Sequence, residues 1–218
     1  MKQHLKNKIV IANDTETEHI FYISKDDKDD YLVDRVIEVK DRGLVTFYYC
    51  FMGQGDFEAS CVYNICSGAR VNTHFIYFGR DTQKINILEK FNFNGANSVG
   101  EFSSDGLALN SSQVNIESKI IINQGCDNNS AALELKLHLL SQGSIGSVLP
   151  ALEIKSDKAV TSHSAKIFNY SKEDLNYLES RGIGEESANK LLQFGIINTL
   201  AEKIKNEEIK SNILKSIL

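Results

Sequence analysis

The sequence contains no tryptophan, a single proline and no excess of positive charge. Its 24 lysine and arginine residues are outnumbered by 29 acidic residues, which gives a formal charge of -5 at pH 7. A chain with this balance has no basic surface to dominate binding to a phosphate backbone, so we expect no nucleic-acid partner. The four cysteines form no C-x-x-C pair, and we expect them to stay reduced rather than to build a disulfide framework.

Long apolar runs and the common catalytic motifs are also missing. Residues 9–12 form the apolar stretch near the start, which is shorter than the core of a signal peptide and far shorter than a membrane span. We therefore expect a cytoplasmic protein that has no membrane partner. The patterns G-x-S-x-G, H-E-x-x-H, G-x-x-x-x-G-K-[ST] and G-x-G-x-x-G are absent, so we expect that this chain itself neither binds nor hydrolyses nucleotide.

What the sequence does contain, as far as about residue 154, is a series of short alternating apolar segments. Gly, Asn, Asp and Ser separate them, and their starts recur at roughly the 8–12-residue spacing of strand-rich folds. The predicted strands cover residues 9–12, 19–24, 33–39, 44–51, 58–65, 70–78, 84–93, 113–122 and 132–140.

A β-sandwich and a coiled solenoid both give such a series, and periodicity alone does not choose between them. We favour the solenoid because asparagine and glycine recur within and between the strands, as at Asn97 and Gly125. Stacked coils need such residues at tight corners, where a positive φ is common.

After residue 169 the pattern becomes helical. Ser171 is placed to cap a first helix that Gly182 ends, a second helix runs to Gly195, and Asn198 is placed to cap a third. We therefore divide the chain into a β core domain, residues 1–168, and a small C-terminal helical unit, residues 169–218.

Two residues are candidate metal ligands. His163 lies between two serines in what the sequence indicates is a polar turn, and neutral imidazole is a common ligand of iron and zinc. Cys126 lies in a polar, loop-like segment, and thiolates are the usual ligands of iron–sulfur clusters. The alternatives are a histidine that bonds backbone at a corner and a small buried cysteine at a turn. The other three cysteines have apolar neighbours and are interpreted as core: Cys50, Cys61 and Cys66.

Three short segments, in this order and spacing, resemble the C-terminal core of the SufB/SufD family of iron–sulfur cluster assembly scaffolds. They are P-x-L-E-I from Pro150, S-H-x-A around His163, and Y-L-x-S-R-G-I from Tyr177. The sequence changes from strand-like to helical between the second and the third. The similarity extends from about residue 68 to residue 194, and the chain looks like a minimal, core-only form of the family.

The resemblance implies a right-handed parallel β-helix capped by C-terminal helices. It also implies a non-catalytic scaffold that dimerises through the end of the β-helix, as a homodimer or with a SufB- or SufD-like paralogue. A SufC-like ABC-type ATPase is the implied partner, and a transient iron–sulfur cluster is the implied cargo. The residues that would belong to the ATPase-docking region are Tyr177, Leu178, Arg181, Gly182, Ile183 and Leu191.

His163 matches the family histidine that is implicated in cluster assembly. The resemblance therefore favours a metal ligand at this position over a histidine that bonds backbone at a corner. Two positions depart from the SufB pattern. Ser164 stands where SufB-type chains have a glutamate, and Leu135 stands where their acceptor cysteine is expected, so Cys126 would need a different route to the same site. The pattern looks more like SufD.

These two departures from the SufB pattern favour a second hypothesis, in which the chain is a metal-free structural adaptor of the ATPase complex. A third reading is a carbohydrate-active β-helix enzyme. The absence of tryptophan and of an export signal speaks against that third reading.

Overall fold

The computed structural model describes residues 1–169, 172–202, 204 and 206–215. Within these residues the chain forms twelve β-strands and three α-helices. The strands are β1 (Lys2–Ile11), β2 (Glu16–Ile23), β3 (Asp30–Val39), β4 (Leu44–Phe51), β5 (Phe57–Ile65), β6 (Arg70–Gly79), β7 (Lys84–Phe93), β8 (Val99–Ala108), β9 (Gln113–Ile122), β10 (Ser130–Leu139), β11 (Ile145–Ile154) and β12 (Val160–Asn169). The helices are α1 (Lys172–Ser180), α2 (Glu185–Ala201) and α3 (Glu207–Lys215).

The strands wind into a parallel β-helix of six coils. The odd-numbered strands form sheet A, in the order β1-β3-β5-β7-β9-β11, and the even-numbered strands form sheet B, in the order β12-β10-β8-β6-β4-β2. All neighbouring strands pair in parallel, which excludes an antiparallel sandwich and confirms the predicted solenoid. Register partners lie 26 residues apart between β3 and β5 but 32 apart between β9 and β11, so the repeat has no fixed period.

The core fills the space between the two sheets. Inward-facing residues alternate with outward-facing ones along each strand, as along β9, where Val114, Ile116 and Ile120 are fully buried. Stacked rings extend along the interior, and the ring centroids of Tyr63 and Phe91 lie 4.7 Å apart. This continuous core holds the coils together.

Asparagine and glycine occupy the corners and also connect neighbouring coils. Asn97 and Gly125 have φ values of 60° and 78°, as the solenoid prediction requires of corner residues. Within the strands, the side chain of Asn115 donates a hydrogen bond of 3.0 Å to that of Asn86 on the preceding coil. Such side-chain ladders satisfy the polar groups that the stacking brings together.

The helices pack on the outer face of sheet B through a second apolar cluster. Ile197 and Leu200 of α2 and Ile213 of α3 are buried against outward-facing residues of β4, β6 and β8, among them Tyr48 and Ile76. The predicted boundary at residues 168 and 169 falls at the end of β12, and the helices that follow it share this cluster with sheet B, so the division into two domains stays a prediction.

The helix boundaries correct two expectations. Gly182 does end α1, with a φ of 83° and a hydrogen bond from the Ile183 N–H to the Leu178 carbonyl. In contrast, α2 continues through Gly195 and contains Asn198, which was expected to cap the third helix. That cap is provided by Asn206, and the predicted cap Ser171 lies outside the described residues.

Three observed strands, β8, β11 and β12, have no counterpart among the predicted segments given above. β8 was not predicted, and β12 includes the segment around His163 that was expected to be a turn. Both are rich in serine, and β8 also contains glycine, so neither shows a clear apolar alternation. Backbone pairing to β10 forms them despite this composition. Among the described residues, no helix has the length and apolar character needed to cross a membrane.

Candidate functional site

His163 lies on β12, the last strand of sheet B, at the open end of the β-helix. Its register partner on β10 is Leu133, whose side chain is buried, so His163 occupies an inward-facing position of the final coil. No further strand pairs with β12 within the described residues, and His163 is exposed. The β12 backbone therefore presents an imidazole at the edge of the core.

Outward-facing polar groups form an open groove beside His163 on the outer face of sheet B. Ser164, Glu134, Ser103 and His74 are register partners on successive strands, and they line a groove of about 570 Å³ that His163 borders. The Nδ1 atom of His74 lies 2.8 Å from the Ser103 Oγ atom. The sequence did not point to His74 or Ser103, because about 30 residues separate each partner from the next along the chain.

The edges that flank His163 are long and carry exposed apolar side chains. β11 and β12 each have ten residues and are the last strands of sheets A and B. Ile145, Leu149 and Val160 are 62%, 58% and 73% exposed. An unprotected parallel edge of this length is a template for pairing with another chain.

Cys126 lies in the turn between β9 and β10, as the sequence indicated, but its thiol is buried. Its exposure is 7%, and it belongs to the core cluster that contains Leu133 and Leu135. Burial is the main cause that raises the pKa of the thiol, the hydrogen bond with the Asn123 backbone lowers it, and the Asp127 charge raises it. A protonated, covered thiol is a poor ligand until it is exposed and deprotonated.

Leu135 and the three other cysteines differ in burial. Leu135 is fully buried in β10. Cys50 and Cys61 are buried, as predicted, and burial raises the pKa of each thiol to about 12. Cys66 is only partly buried, in contrast to its interpretation as core.

The ligand candidates do not form a complete metal site within one chain. Over the described part of the chain, no three or more His, Cys, Asp and Glu side chains are grouped so that they could hold a metal ion. His163 and Cys126 differ in setting, because one is exposed at the last strand and the other is covered by the core.

The predicted docking residues lie on the helical unit and differ in exposure. Tyr177 and Leu191 are 62% and 51% exposed, and the Arg181 guanidinium lies 5.5 Å from the Tyr177 ring centroid. Phe194, one helical turn after Leu191, is 43% exposed and was not selected from the sequence. Leu178 and Ile183 are partly buried, and Gly182 is exposed in the turn after α1.

Comparison with known proteins supports the family that the sequence resembles. The model of the SUF system FeS cluster assembly, SufBD core domain, matches residues 6–196. The chain is 25% identical over 167 residues to the iron-sulfur cluster assembly protein SufD of Bacillus subtilis (strain 168), which covers 76% of this chain and 38% of that protein.

Two further relatives are members of the iron-sulfur cluster assembly SufBD family. The relative from Mycobacterium leprae (strain TN) is 34% identical over 80 residues, which are 36% of this chain and 20% of that protein. The relative from Staphylococcus aureus (strain USA300) is 25% identical over 140 residues, which are 64% and 30% of the two chains. The matched region thus spans well under half the length of these relatives. Because the family model covers most of the sequence, from residue 6 to residue 196, this chain belongs to the SufBD family of SUF-system iron–sulfur cluster assembly proteins.

Proposed function

We propose that the chain is a scaffold subunit that joins an ABC-type, SufC-like ATPase and helps to assemble or transfer iron–sulfur clusters at a dimer interface. The observation that carries the proposal is the position of His163, exposed on the last strand of a β-helix whose two edge strands at this end pair with no further strand among the described residues. The cluster is the cargo of the scaffold, and ATP hydrolysis is assigned to the partner.

The open end of the β-helix supports dimerisation. β11 and β12 each have one edge that no other strand in the described part of the chain pairs with, and the exposed side chains of Ile145, Leu149 and Val160 add apolar surface beside these edges. A second copy of this chain, or a SufB- or SufD-like paralogue, would satisfy the backbone groups and cover the apolar side chains. His163 would then lie at the dimer interface.

An interface site also accounts for the incomplete ligand set. The imidazole of His163 supplies one ligand, and a cluster needs several. Ligands from a second chain would complete the set only while the two chains are joined. A site of this kind releases its cargo when the interface changes, which suits a cluster held transiently.

The helical unit is the proposed docking surface for the ATPase. Its buried side anchors α2 and α3 to sheet B through Ile197, Leu200 and Ile213. Its exposed side presents Tyr177, Leu191 and Phe194, and an exposed apolar group of this kind is typical of a protein interface. We assign contact to these side chains, and a supporting position to Leu178 and Ile183.

We place this complex in the cytoplasm. The four cysteines are free thiols, as expected in a reducing compartment, and a SUF-type scaffold needs its ligands reduced.

The decisive experiment is anaerobic co-expression with the cognate ATPase, followed by mass determination and iron and sulfide analysis of the purified complex. We expect a stable complex that carries iron and sulfide, and we expect His163→Ala to fold and bind the ATPase but to lose most of the metal. His4→Ala, at an exposed histidine of β1, is the matched control and should leave the metal content unchanged. Failure to form a complex would reject the ATPase-scaffold proposal, and full metal content in His163→Ala would reject the site.

A metal-free adaptor of the same ATPase is the second candidate. The buried thiol of Cys126 and the leucine at position 135 favour it, because neither position offers an accessible thiolate. A stable wild-type complex without iron or sulfide would support this adaptor. The family match is to assembly proteins and gives no support to a carbohydrate-active enzyme.

A further inference from the structure

A second cavity lies at the other end of the β-helix, in the first coils. Its volume is about 270 Å³, and its walls are mostly apolar. At about 30 Å³ for each water in the liquid, this volume corresponds to roughly nine waters, or a ligand of about as many non-hydrogen atoms. Residues of β1 to β6 line it, among them Leu5, Phe21, Ile23, Val33 and Phe75.

Arg35 is the only charged residue among those that line this cavity, all of which belong to the described residues 1–169. It is 5% exposed, and its Cζ atom lies 3.3 Å from the Phe21 ring centroid and 5.4 Å from that of Tyr49. The two rings hold the guanidinium in place. Its Nε and Nη1 atoms are buried and make no hydrogen bond.

No residue that lines the cavity carries a negative charge to compensate Arg35. Burial raises the pKa of the Cys50 thiol to about 12, and burial is also the main cause that raises the pKa values of Tyr22 and Tyr49. These lining groups are therefore neutral near pH 7. Cys61, the register partner of Arg35, is neutral for the same reason, because burial raises its pKa to about 12.

A buried cation without an anionic partner is costly, and the cost is relieved when an anion enters the same low-dielectric space. A carboxylate has the required charge and accepts hydrogen bonds from a guanidinium in a favourable geometry. The apolar walls select for an alkyl chain behind the carboxylate.

We propose that this cavity binds a small alkyl carboxylate, with the carboxylate at Arg35 and the chain among the apolar side chains. The site is independent of the proposed scaffold function, and it lies at the opposite end of the β-helix from His163.

The test is calorimetric titration of the full chain with sodium octanoate, compared with 1-octanol as a neutral analogue and with sodium butyrate as a short carboxylate. We expect octanoate to bind at least about tenfold more tightly than 1-octanol. Tighter binding of octanoate than of butyrate would identify a fatty-acid-like ligand, and the reverse would identify a short carboxylate.

The matched variants are Arg35→Met and Arg80→Met. Arg80 also lies over a ring, with its Cζ atom 4.1 Å from the Phe78 centroid, but it does not line the cavity. We expect Arg35→Met to weaken octanoate binding at least about tenfold and Arg80→Met to leave it unchanged.

Arg35→Met should fold, because it removes a buried charge that has no anionic partner. If it does not, the Nε–H signal of Arg35 in the wild-type NMR spectrum provides the readout, and octanoate should shift it. Equal binding of octanoate and 1-octanol, unchanged binding by Arg35→Met, or no saturation up to about 1 mM octanoate would each overturn the proposal.

Discussion

Glu89 is a carboxyl group enclosed by the β-helix core. It faces inward from β7, is 1% exposed, and is in register with Cys61 on one side and Ser118 on the other. One carboxyl oxygen accepts a hydrogen bond of 3.0 Å from the Ser118 Oγ atom, and the other has no partner. Burial raises the pKa of this carboxyl from 4.5 to about 7, although the bond from Ser118 acts in the opposite direction.

This shift makes stability fall as the pH rises. Below about pH 4.5 the carboxyl is protonated in both the folded and the unfolded chain, so it contributes no pH dependence. Between that value and about pH 7 the unfolded chain loses the proton while the folded chain keeps it, which favours unfolding. The full cost, reached above the folded pKa, is on the order of 3 kcal/mol.

We predict that Glu89→Gln removes this pH dependence. Urea unfolding at about pH 5 and about pH 8 should show a smaller loss of unfolding free energy in the variant than in the wild type, by roughly 2–3 kcal/mol. Glu117→Gln, on the exposed face of the neighbouring strand β9, is the control and should follow the wild type. An identical pH dependence in wild type and Glu89→Gln would show that Glu89 titrates normally.

At the scale of the element, α3 shows how a short helix is defined by its cap. The Asn206 side-chain oxygen accepts a hydrogen bond of 3.0 Å from the Ile209 N–H, and Glu207 and Glu208 occupy the first turn, where acids are favourable. Asn198 was the expected cap, but it lies inside α2, where its side chain contacts Glu202 at 3.3 Å.

We predict that Asn206→Ala lowers the unfolding free energy by about 1 kcal/mol, because a helix N–H loses its partner. Asn198→Ala should change it by less than about 0.5 kcal/mol, since alanine is the better helix former at an interior position. Chemical denaturation of the two variants, with helix content followed by circular dichroism, makes the comparison. A larger loss in Asn198→Ala would place the cap where the sequence had suggested it.

The strand pattern of the β-helix was readable because most inward positions are large and apolar. The bounds of β4, β7 and β9 agree with the predicted segments 44–51, 84–93 and 113–122. The sequence of β12 shows no such pattern. Thr161, Ser162 and Ser164 surround His163 at the open end of the β-helix, where inward-facing side chains do not have to be apolar. This segment forms a strand because it pairs with β10, and the local sequence pattern does not reveal that pairing.

The candidate site was only partly predictable for a related reason. His163 could be selected by its motif, and the buried setting of Cys126 matches the alternative that was left open for it. The groove residues His74, Ser103 and Glu134 come together through the register of β6, β8 and β10. Arg35 and Glu89 were missed because a charged residue on a predicted strand normally faces solvent, and only the coil register places these two inside.

At the scale of the whole molecule, the two ends of the β-helix differ in what they offer. The first coils contain the cavity around Arg35, whereas the last coil presents two ten-residue edges and the exposed His163. Soluble proteins usually shield such edges with charge, proline or a covering segment. β11 contains Pro150, but Ile145 and Leu149 remain exposed along the same strand. This edge is the place where the proposed dimer would form.

We predict that charge added to this edge separates the proposed dimer without unfolding the chain. The double variant Leu149→Lys, Val160→Lys should raise the dimer dissociation constant at least about tenfold. Each introduced lysine would face either the same lysine of the partner chain or apolar surface across the interface, and both arrangements are unfavourable. Leu88→Lys is the matched control, since Leu88 is 50% exposed but lies on β7, within sheet A.

Sedimentation equilibrium of the wild type and the variants over a range of concentrations measures this constant. A monomeric wild type would reject the homodimer, and a dimer that only Leu88→Lys weakens would place the interface away from the end of the β-helix. Metal analysis of the Leu149→Lys, Val160→Lys variant tests whether cluster binding depends on the dimer, because His163 remains intact in this variant. If the cluster needs ligands from both chains, the separated variant should lose iron in proportion to its monomer fraction.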